Sequence, residues 1–339
     1  MSAIKTELEA LCERRDLSAE TCAKLFGRLI AGELNDIEIS ALLIAFKAKG
    51  EAPPEIAGAA GALRAAATPF PNPGFGVADS CGTGGDGLGT VNISTAAALI
   101  AAEAGLPVAK HGNRSISSRC GSADVLEACG VNLEASPQQS LECLTRERFG
   151  FLFAPRYHAG MRHVMPTRRA LATRTLFNLL GPLANPSAPR WQLLGVYDPE
   201  LCQPMAETLS LMGCEAALVV HGGGLDELAL HAQTQCSLWR DGRLEELILE
   251  PEDVGFKRHP LTSIAGRGPE HNGLWLKELL GGRAPEAHIE AVAFNAGALL
   301  WISGQASDIA SGCRRAVEVI EQGGAEARLA RVAEVSRGA

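Results

Sequence analysis

Apolar positions recur at helical spacing through residues 1–70. Ile4, Leu8 and Leu11 share one helical face, Leu25, Leu29 and Ile30 follow from a Ser18 start, and Leu42, Leu43 and Phe46 form a third stripe closed by Gly50. Ala57 to Ala67 is alanine-rich, and alanine favours helix. The pattern predicts a small all-helical N-terminal unit over residues 1–70. Pro69, Pro71, Pro73, Gly74 and Gly76 then crowd together and mark the best linker in the chain.

Beyond the linker the period changes. Apolar runs at Val77 to Cys81, Pro107 to Ala109, Phe151 to Phe153, Gln192 to Val196 and Ala216 to Val220 predict strands, with helical segments at Ile93 to Glu103, Ser122 to Cys129 and Pro199 to Met212 between them. This alternation predicts a mostly parallel central sheet covered by helices, in a larger α/β unit over residues 71–339. Ser136-Pro137 is a cap and first-turn pair for one more helix ending near Gly150, and three helical segments follow from about Pro269. Ala291 to Ser307 is the longest charge-free apolar stretch, yet Asn295, Gly297, Ser303 and Gln305 interrupt it. It predicts a buried helix rather than a membrane span.

Charge narrows the function classes. With 31 basic against 39 acidic side chains the formal charge is -8, which disfavours a nucleic-acid polyelectrolyte as partner. Lys5, Glu7 and Glu9 leave no signal-peptide pattern in the first residues, so a cytoplasmic protein is expected. The ten cysteines form no C-x-x-C pair and have no histidine at zinc-finger spacing, so most of them are read as small buried hydrophobes.

The strongest chemical signal is Asp79-Ser-Cys-Gly-Thr-Gly-Gly-Asp-Gly-Leu-Gly-Thr90, five glycines within twelve residues between a predicted strand and a predicted helix. Such a loop can bring backbone N–H groups against a phosphate while the helix presents its positive end; a mobile turn is the plainer alternative. It is neither a Walker loop nor a dinucleotide fingerprint. Asn92-Ile-Ser-Thr95 then puts an amide and two hydroxyls where they can cap the helix or ligate a phosphate or metal. Lys110-His-Gly-Asn-Arg-Ser-Ile-Ser-Ser118, followed by Arg119, Gly121 and Ser122, joins cations to hydroxyls, and can equally be a solvated polar loop. Lys110 is the only lysine between Lys49 and Lys257, so a point-charge ammonium there is notable. Asp226-Glu227 follows the Ala216 to Val220 strand and suits Mg2+ bridged to substrate phosphates, or a plain acidic pair at a helix start. Phe153 to Arg174 adds five arginines and two histidines. No catalytic triad or cysteine with a local base is present in the sequence, so the pattern points to a transferase that works by positioning and charge stabilisation.

Gly82-Thr-Gly-Gly-Asp86, Asn92-Ile-Ser-Thr95, Lys110 through Ser118 to Ser122-Ala-Asp-Val-Leu-Glu127, Phe177-Asn-Leu-Leu-Gly-Pro-Leu183 and Gly224-Leu-Asp-Glu227 occur in one order. Through them the chain resembles the anthranilate phosphoribosyltransferase family over nearly its whole length. The resemblance implies a nucleoside phosphorylase/phosphoribosyltransferase-like α/β fold, with helices from about 165–185 packing on the small helical domain. It also implies a homodimer, anthranilate and 5-phosphoribosyl 1-diphosphate as substrates, and two Mg2+ ions per subunit. The donor would be held by Gly82, Gly85, Asp86, Thr90, Asn92, Ile93, Ser94, Thr95, Lys110, His111, Gly112, Asn113, Arg114, Ser115, Ile116, Ser117, Ser118 and Ser122. Ser94, Asp226 and Glu227 would hold the metal; Gly82, Asn113 and Arg168 would meet anthranilate, with His111 and the Ala154 to Met161 strip as channel walls. The implied chemistry is direct displacement at the ribose C1 through an oxocarbenium-like transition state, with no covalent enzyme intermediate.

The chain departs from the family in two places. Arg168-Arg-Ala-Leu-Ala172 stands where members usually have Arg-Arg-Glu-Leu-Gly, and Cys120 where serine is common. A pyrimidine nucleoside phosphorylase, the nearest enzymatic rival, would carry Lys-His-Ser before Thr-Gly-Gly, whereas Asp79-Ser-Cys-Gly precedes it here. A nucleic-acid-binding paralogue would be basic with eroded motifs, and this chain is neither.

Overall fold

Among the described residues of the computed structural model, 4–115 and 119–338, seven strands form one sheet. They are β1 (Ala78–Gly82), β2 (Val108–Gly112), β3 (Phe149–Phe153), β4 (Trp191–Gly195), β5 (Ala216–Gly222), β6 (Thr234–Arg240) and β7 (Arg243–Leu249), in the spatial order β3-β2-β1-β4-β5-β6-β7. The first five in that order run parallel, while β6 and β7 are antiparallel at the edge. From β1 the chain moves outward to β2 and β3, then crosses back to β4. The order therefore reverses between β1 and β4, and a crevice outside their carboxyl ends is where open α/β sheets bind ligands.

Alternation along the strands assigns side chains to two cores. Leu193, Ala216, Leu218 and Val220 face one core, shared with the helices Ile93–Glu103 and Glu286–Ile302; Leu194, Val196, Ala217 and Val219 face the other. That second core is continuous with the apolar stripes of the helices Lys5–Cys12, Ala19–Ile30, Asp36–Lys49 and Pro53–Ala65, and it takes in Leu176, Phe177, Leu180 and Leu183. Phe26 lies 5.9 Å from Phe46 and 5.7 Å from Phe177, centroid to centroid, so a late segment of the chain completes the packing of an early one. The chain thus has a helical bundle at its N-terminus and a larger, mostly parallel α/β unit.

Local signals account for the helix starts. The Ser18 hydroxyl accepts from Thr21 N–H at 3.1 Å, and Asn35 and Ser136 close capping boxes with Glu38 and Gln139. Three details differ from the sequence reading. The helix begun by Ser136-Pro137 ends at Glu147, because Arg148 turns left-handed (φ 56°), and Gly150 lies in β3. Among the described residues four helices, not three, run from Pro269 onward, since Gly323 (φ 72°) divides Ile309–Gln322 from Gly324–Ser336. The hairpin β6–β7 has no counterpart among the strands expected from the sequence. Its Asp241-Gly242 turn has positive φ at both residues, a strong hairpin signal, but the charges on exposed β7 hide the alternation.

Ala172, where family members usually carry glycine, caps the helix Met165–Leu171 at φ 47°, ψ 31°. A Cβ there is strained. Ala172→Gly is expected to stabilise the protein by about 0.5–1 kcal/mol, read from denaturant unfolding.

Candidate active site

Four parallel strands deliver the sequence-marked residues to one edge of the sheet. β1 ends at Gly82 and opens the glycine loop, β2 ends at Gly112 before the Asn113 loop, β4 ends at Gly195, and β5 ends at Gly222 before Asp226-Glu227. The loop after β1 meets the acidic pair directly: Gly84 N–H donates to Asp226 Oδ2 at 2.7 Å. A Cβ would clash at all four of these ends, with a backbone oxygen at Gly195 and Gly222 and with side-chain atoms at Gly82 and Gly112. A Cβ on Gly82 would lie 2.2 Å from Asp226 Oδ2, and one on Gly195 would lie 1.6 Å from the Asp226 carbonyl oxygen.

Around this contact the other donors gather. Ser94 N–H, in the first turn of Ile93–Glu103, donates to Glu227 Oε1 at 3.0 Å. Lys110 is almost wholly buried; its ammonium donates to the Ser80 carbonyl and lies 3.3 Å from Ser94 Oγ. Asp86 Oδ1 accepts from Leu88 N–H at 3.2 Å and closes the glycine loop on itself. Thr90 bridges to Ala265. Ile93 is buried and its N–H already donates to Val91 O at 2.8 Å, whereas buried Thr95 Oγ1 has no partner among the described residues.

The charge pattern fits a divalent cation. Burial first, and Asp226 second, push the Glu227 carboxyl up to about 8. Burial and then Asp86 also raise Asp226. Two adjacent carboxylates thus oppose ionisation, which the Lys110 charge and the hydrogen bonds from Ser94 and Gly84 offset only in part, and a dication would supply further positive charge. Among the described residues no three His, Cys, Asp or Glu side chains form a metal cage. Two carboxylates and a hydroxyl suit Mg2+, which keeps waters and binds substrate phosphates.

Other marked residues are brought near but are differently engaged. Asn92 Nδ2 donates to Cys120 O at 3.0 Å and its Oδ1 accepts from Asn272 at 2.9 Å, leaving one amide hydrogen and one lone pair for a ligand. The Arg114 guanidinium turns onto Asp124 and Glu127, at 3.0 and 2.7 Å, and both partners raise its pKa. Asp124 also accepts from Ser115 and Gly121 N–H, and Ser122 Oγ donates to Asn113 O at 3.4 Å, so the loop after β2 is cross-braced. Ile116, Ser117 and Ser118 lie outside the described residues.

Arg168 sits on the helical side with its guanidinium 5.4 Å above the Phe177 ring. It has no carboxylate partner among the described residues, and burial lowers its pKa. An arginine so placed can pair with a ligand carboxylate. No hydrogen bond among the described residues joins it to Gly82 or Asn113. Sequence reasoning missed Gly195, Asn295 and the contact of Arg174, which donates to Gly85 O at 2.6 Å while stacked 3.9 Å from the Tyr197 ring. Asn295 had a signal, as a carboxamide in an apolar helix; Gly195 at a strand end had none.

His111 faces His158, ring centroids 5.1 Å apart, and its Nε2 has no partner among the described residues. Burial, then His158, lowers His111 to about 3, and burial lowers His158 to about 4. Both rings stay neutral when folded, whereas in the unfolded chain they bind protons below their ordinary value near 6.5. The unfolded state then holds more protons, so stability falls as pH drops from 6.5 toward 3. His111→Asn is expected to reduce that loss by about 1 kcal/mol per pH unit, measured by urea unfolding between pH 4 and 6.

Comparison with known proteins follows the same division of the chain. Residues 5–67 match the helical bundle domain of a glycosyl transferase family, and residues 75–326 match its a/b domain. An anthranilate phosphoribosyltransferase of Sorangium cellulosum is 57% identical, over 97% of this chain and 95% of that protein. The crystal structure of an anthranilate phosphoribosyltransferase from Thermus thermophilus superposes with a TM-score of 0.92 at 43% identity, covering 97% of this chain and 99% of that one. The Saccharomyces cerevisiae enzyme in complex with PRPP and Mg superposes at 0.89 and 27% identity, covering 100% and 99%.

Proposed function

Because this chain belongs to the anthranilate phosphoribosyltransferase family, we propose that it transfers the phosphoribosyl group of 5-phosphoribosyl 1-diphosphate to the amine of anthranilate. The products are N-(5-phosphoribosyl)anthranilate and diphosphate, a step of L-tryptophan biosynthesis. The observation that carries this reading is the junction of glycine loop and acidic pair through Gly84 N–H and Asp226, at the β1/β4 crevice.

The donor is held by Gly82, Gly85, Asp86 and Thr90 of the glycine loop, by Asn92 to Thr95 at the helix start, by Lys110 to Ser118 and by Ser122. Ser94, Asp226 and Glu227 hold two Mg2+ ions per subunit; when bound, Mg2+ offsets the charge of the departing diphosphate. Lys110 adds a fixed cation beside Ser94. The anthranilate nitrogen lone pair attacks C1, the bond from C1 to the diphosphate oxygen breaks with its electron pair leaving on diphosphate, and the configuration at C1 inverts. The nitrogen then releases a proton. This chain's contribution is alignment and charge, with no enzyme nucleophile.

On the acceptor side, Gly82 and Asn113 border anthranilate and Arg168 takes its carboxylate. Arg168→Ala is expected to raise the anthranilate KM roughly tenfold or more and leave the donor KM little changed. The same reading assigns residues 1–70, with the helices at 165–185, to one domain and 71–339 to the other, in a cytoplasmic homodimer. The direct test mixes the chain with anthranilate, phosphoribosyl diphosphate and Mg2+ and follows anthranilate fluorescence, with an EDTA control. A Mg2+-dependent decay is expected; a folded sample with no decay rejects the reading.

A further inference from the structure

We propose that His221 and Asn295 are positioning residues that grip the Asp226-Glu227 turn from its two ends and so set its affinity for Mg2+. This rests on the metal role proposed above for that pair.

The turn leaves β5 at Gly222 and is closed by Gly222 N–H to Leu225 O at 2.8 Å and Leu225 N–H to Gly222 O at 3.1 Å. Within it, Gly224 N–H donates to His221 Nε2 at 3.0 Å. A backbone N–H can only donate, so Nε2 is the acceptor and Nδ1 carries the hydrogen, which it gives to Val196 O at 2.9 Å. The ring, in one tautomer, ties the turn to the residue that follows β4. His231 adds a contact from Nε2 to Gly223 O at 3.2 Å.

At the other end stands Asn295, fully buried on the helix Glu286–Ile302 among alanines, Val292, Phe294 and Leu299. Its Oδ1 accepts from Leu228 N–H at 3.0 Å and its Nδ2 donates to Leu228 O at 3.2 Å and to Ala291 O at 2.9 Å. One carboxamide therefore reads both polar groups of the residue directly after Glu227. A slip of the turn by one residue would break both bonds and leave a buried amide unmatched. Leu225 and Leu228 are buried on either side of the acidic pair, so the carboxylates sit on a short arc whose two ends are held by side chains from other elements.

Groups that orient metal ligands typically change metal affinity by 10- to 100-fold when removed. The experiment uses the full chain and compares His221→Phe, His221→Gln, Asn295→Leu and Asn295→Asp. Calorimetry of phosphoribosyl diphosphate binding at stepped Mg2+ concentrations gives a readout independent of turnover, and anthranilate fluorescence gives kcat and both KM values. His221→Phe and Asn295→Leu are expected to raise the Mg2+ needed for half-maximal donor binding roughly tenfold. The anthranilate KM should stay within about twofold. His221→Gln keeps an acceptor for Gly224, and Asn295→Asp keeps one for Leu228; each should recover part of the shift.

A folded His221→Phe protein with unshifted Mg2+ dependence overturns the proposal, and so does a shift that His221→Gln leaves unrelieved. Should Asn295→Leu not fold, the Asn295→Asp and His221 variants decide the outcome by the same readout. Wild-type protein without Mg2+-dependent turnover rejects the functional reading itself, whereas active wild type with unshifted variants rejects only this inference.

Discussion

Asp226→Asn combined with Glu227→Gln is expected to lower turnover by on the order of a thousandfold or more and to remove its dependence on Mg2+, while the fold remains. The amides keep oxygen acceptors for Gly84 N–H and Ser94 N–H, the two bonds that join the acidic pair to the donor loop and to the first turn of the helix. What they lose is the negative charge that Mg2+ requires. Stability supplies a second signature. Burial followed by Asp226 raises Glu227 to about 8, and Asp226 is raised by burial too, so in EDTA the folded carboxyls bind protons that the unfolded ones have released. The native state then holds more protons, and stability is lost as pH climbs from the ordinary carboxylate range toward 8. The double variant has nothing to ionise there, so its melting temperature in EDTA should vary less across that window. Retained Mg2+-dependent turnover in the double variant would exclude the pair as the metal site.

Gly195→Ala should be nearly as severe, by a different route. Its Cβ would lie 1.6 Å from the Asp226 carbonyl oxygen and 2.3 Å from the carbonyl carbon, both backbone atoms. No rotamer change relieves that contact, and Gly195 sits in β4, fixed in register to Gly82 of β1 and Val220 of β5. Either the turn moves outward or the strand does. A loss of activity of about a hundredfold or more and a destabilisation of about 3 kcal/mol or more are expected, measured by turnover and by denaturant unfolding. Gly61→Ala is the matched control. That glycine lies in the helix Pro53–Ala65 with nothing within 4 Å of its Cβ position, and alanine there should stabilise by about 0.5–1 kcal/mol. Normal activity in Gly195→Ala would mean that the turn has slack the close approach does not suggest.

Much of this protein was legible from its sequence because the governing interactions are local. Ser18, Asn35 and Ser136 bond to N–H groups within three residues, so a cap can be recognised without knowing the fold. The five parallel strands are buried on both faces and read as short apolar runs, whereas β7, exposed and charged at the edge, gave no such run. The glycine loop, Lys110 and Asp226-Glu227 stood out as candidates for the same local reason, because the residue types that suit phosphate and Mg2+ lie close together in the chain. Their assembly was decided by tertiary structure alone. Sheet order β2-β1-β4-β5 carries four separate loops to one crevice, and strand order depends on long-range pairing that no local pattern encodes. For the same reason Asn295 looked like a mere interruption in an apolar run until the fold set it beside Leu228, 67 residues away. Gly195 carried no signal until the Asp226 backbone was packed against it. A side chain's chemistry can be read from its letter, but its task depends on what the fold brings within hydrogen-bond or van der Waals reach.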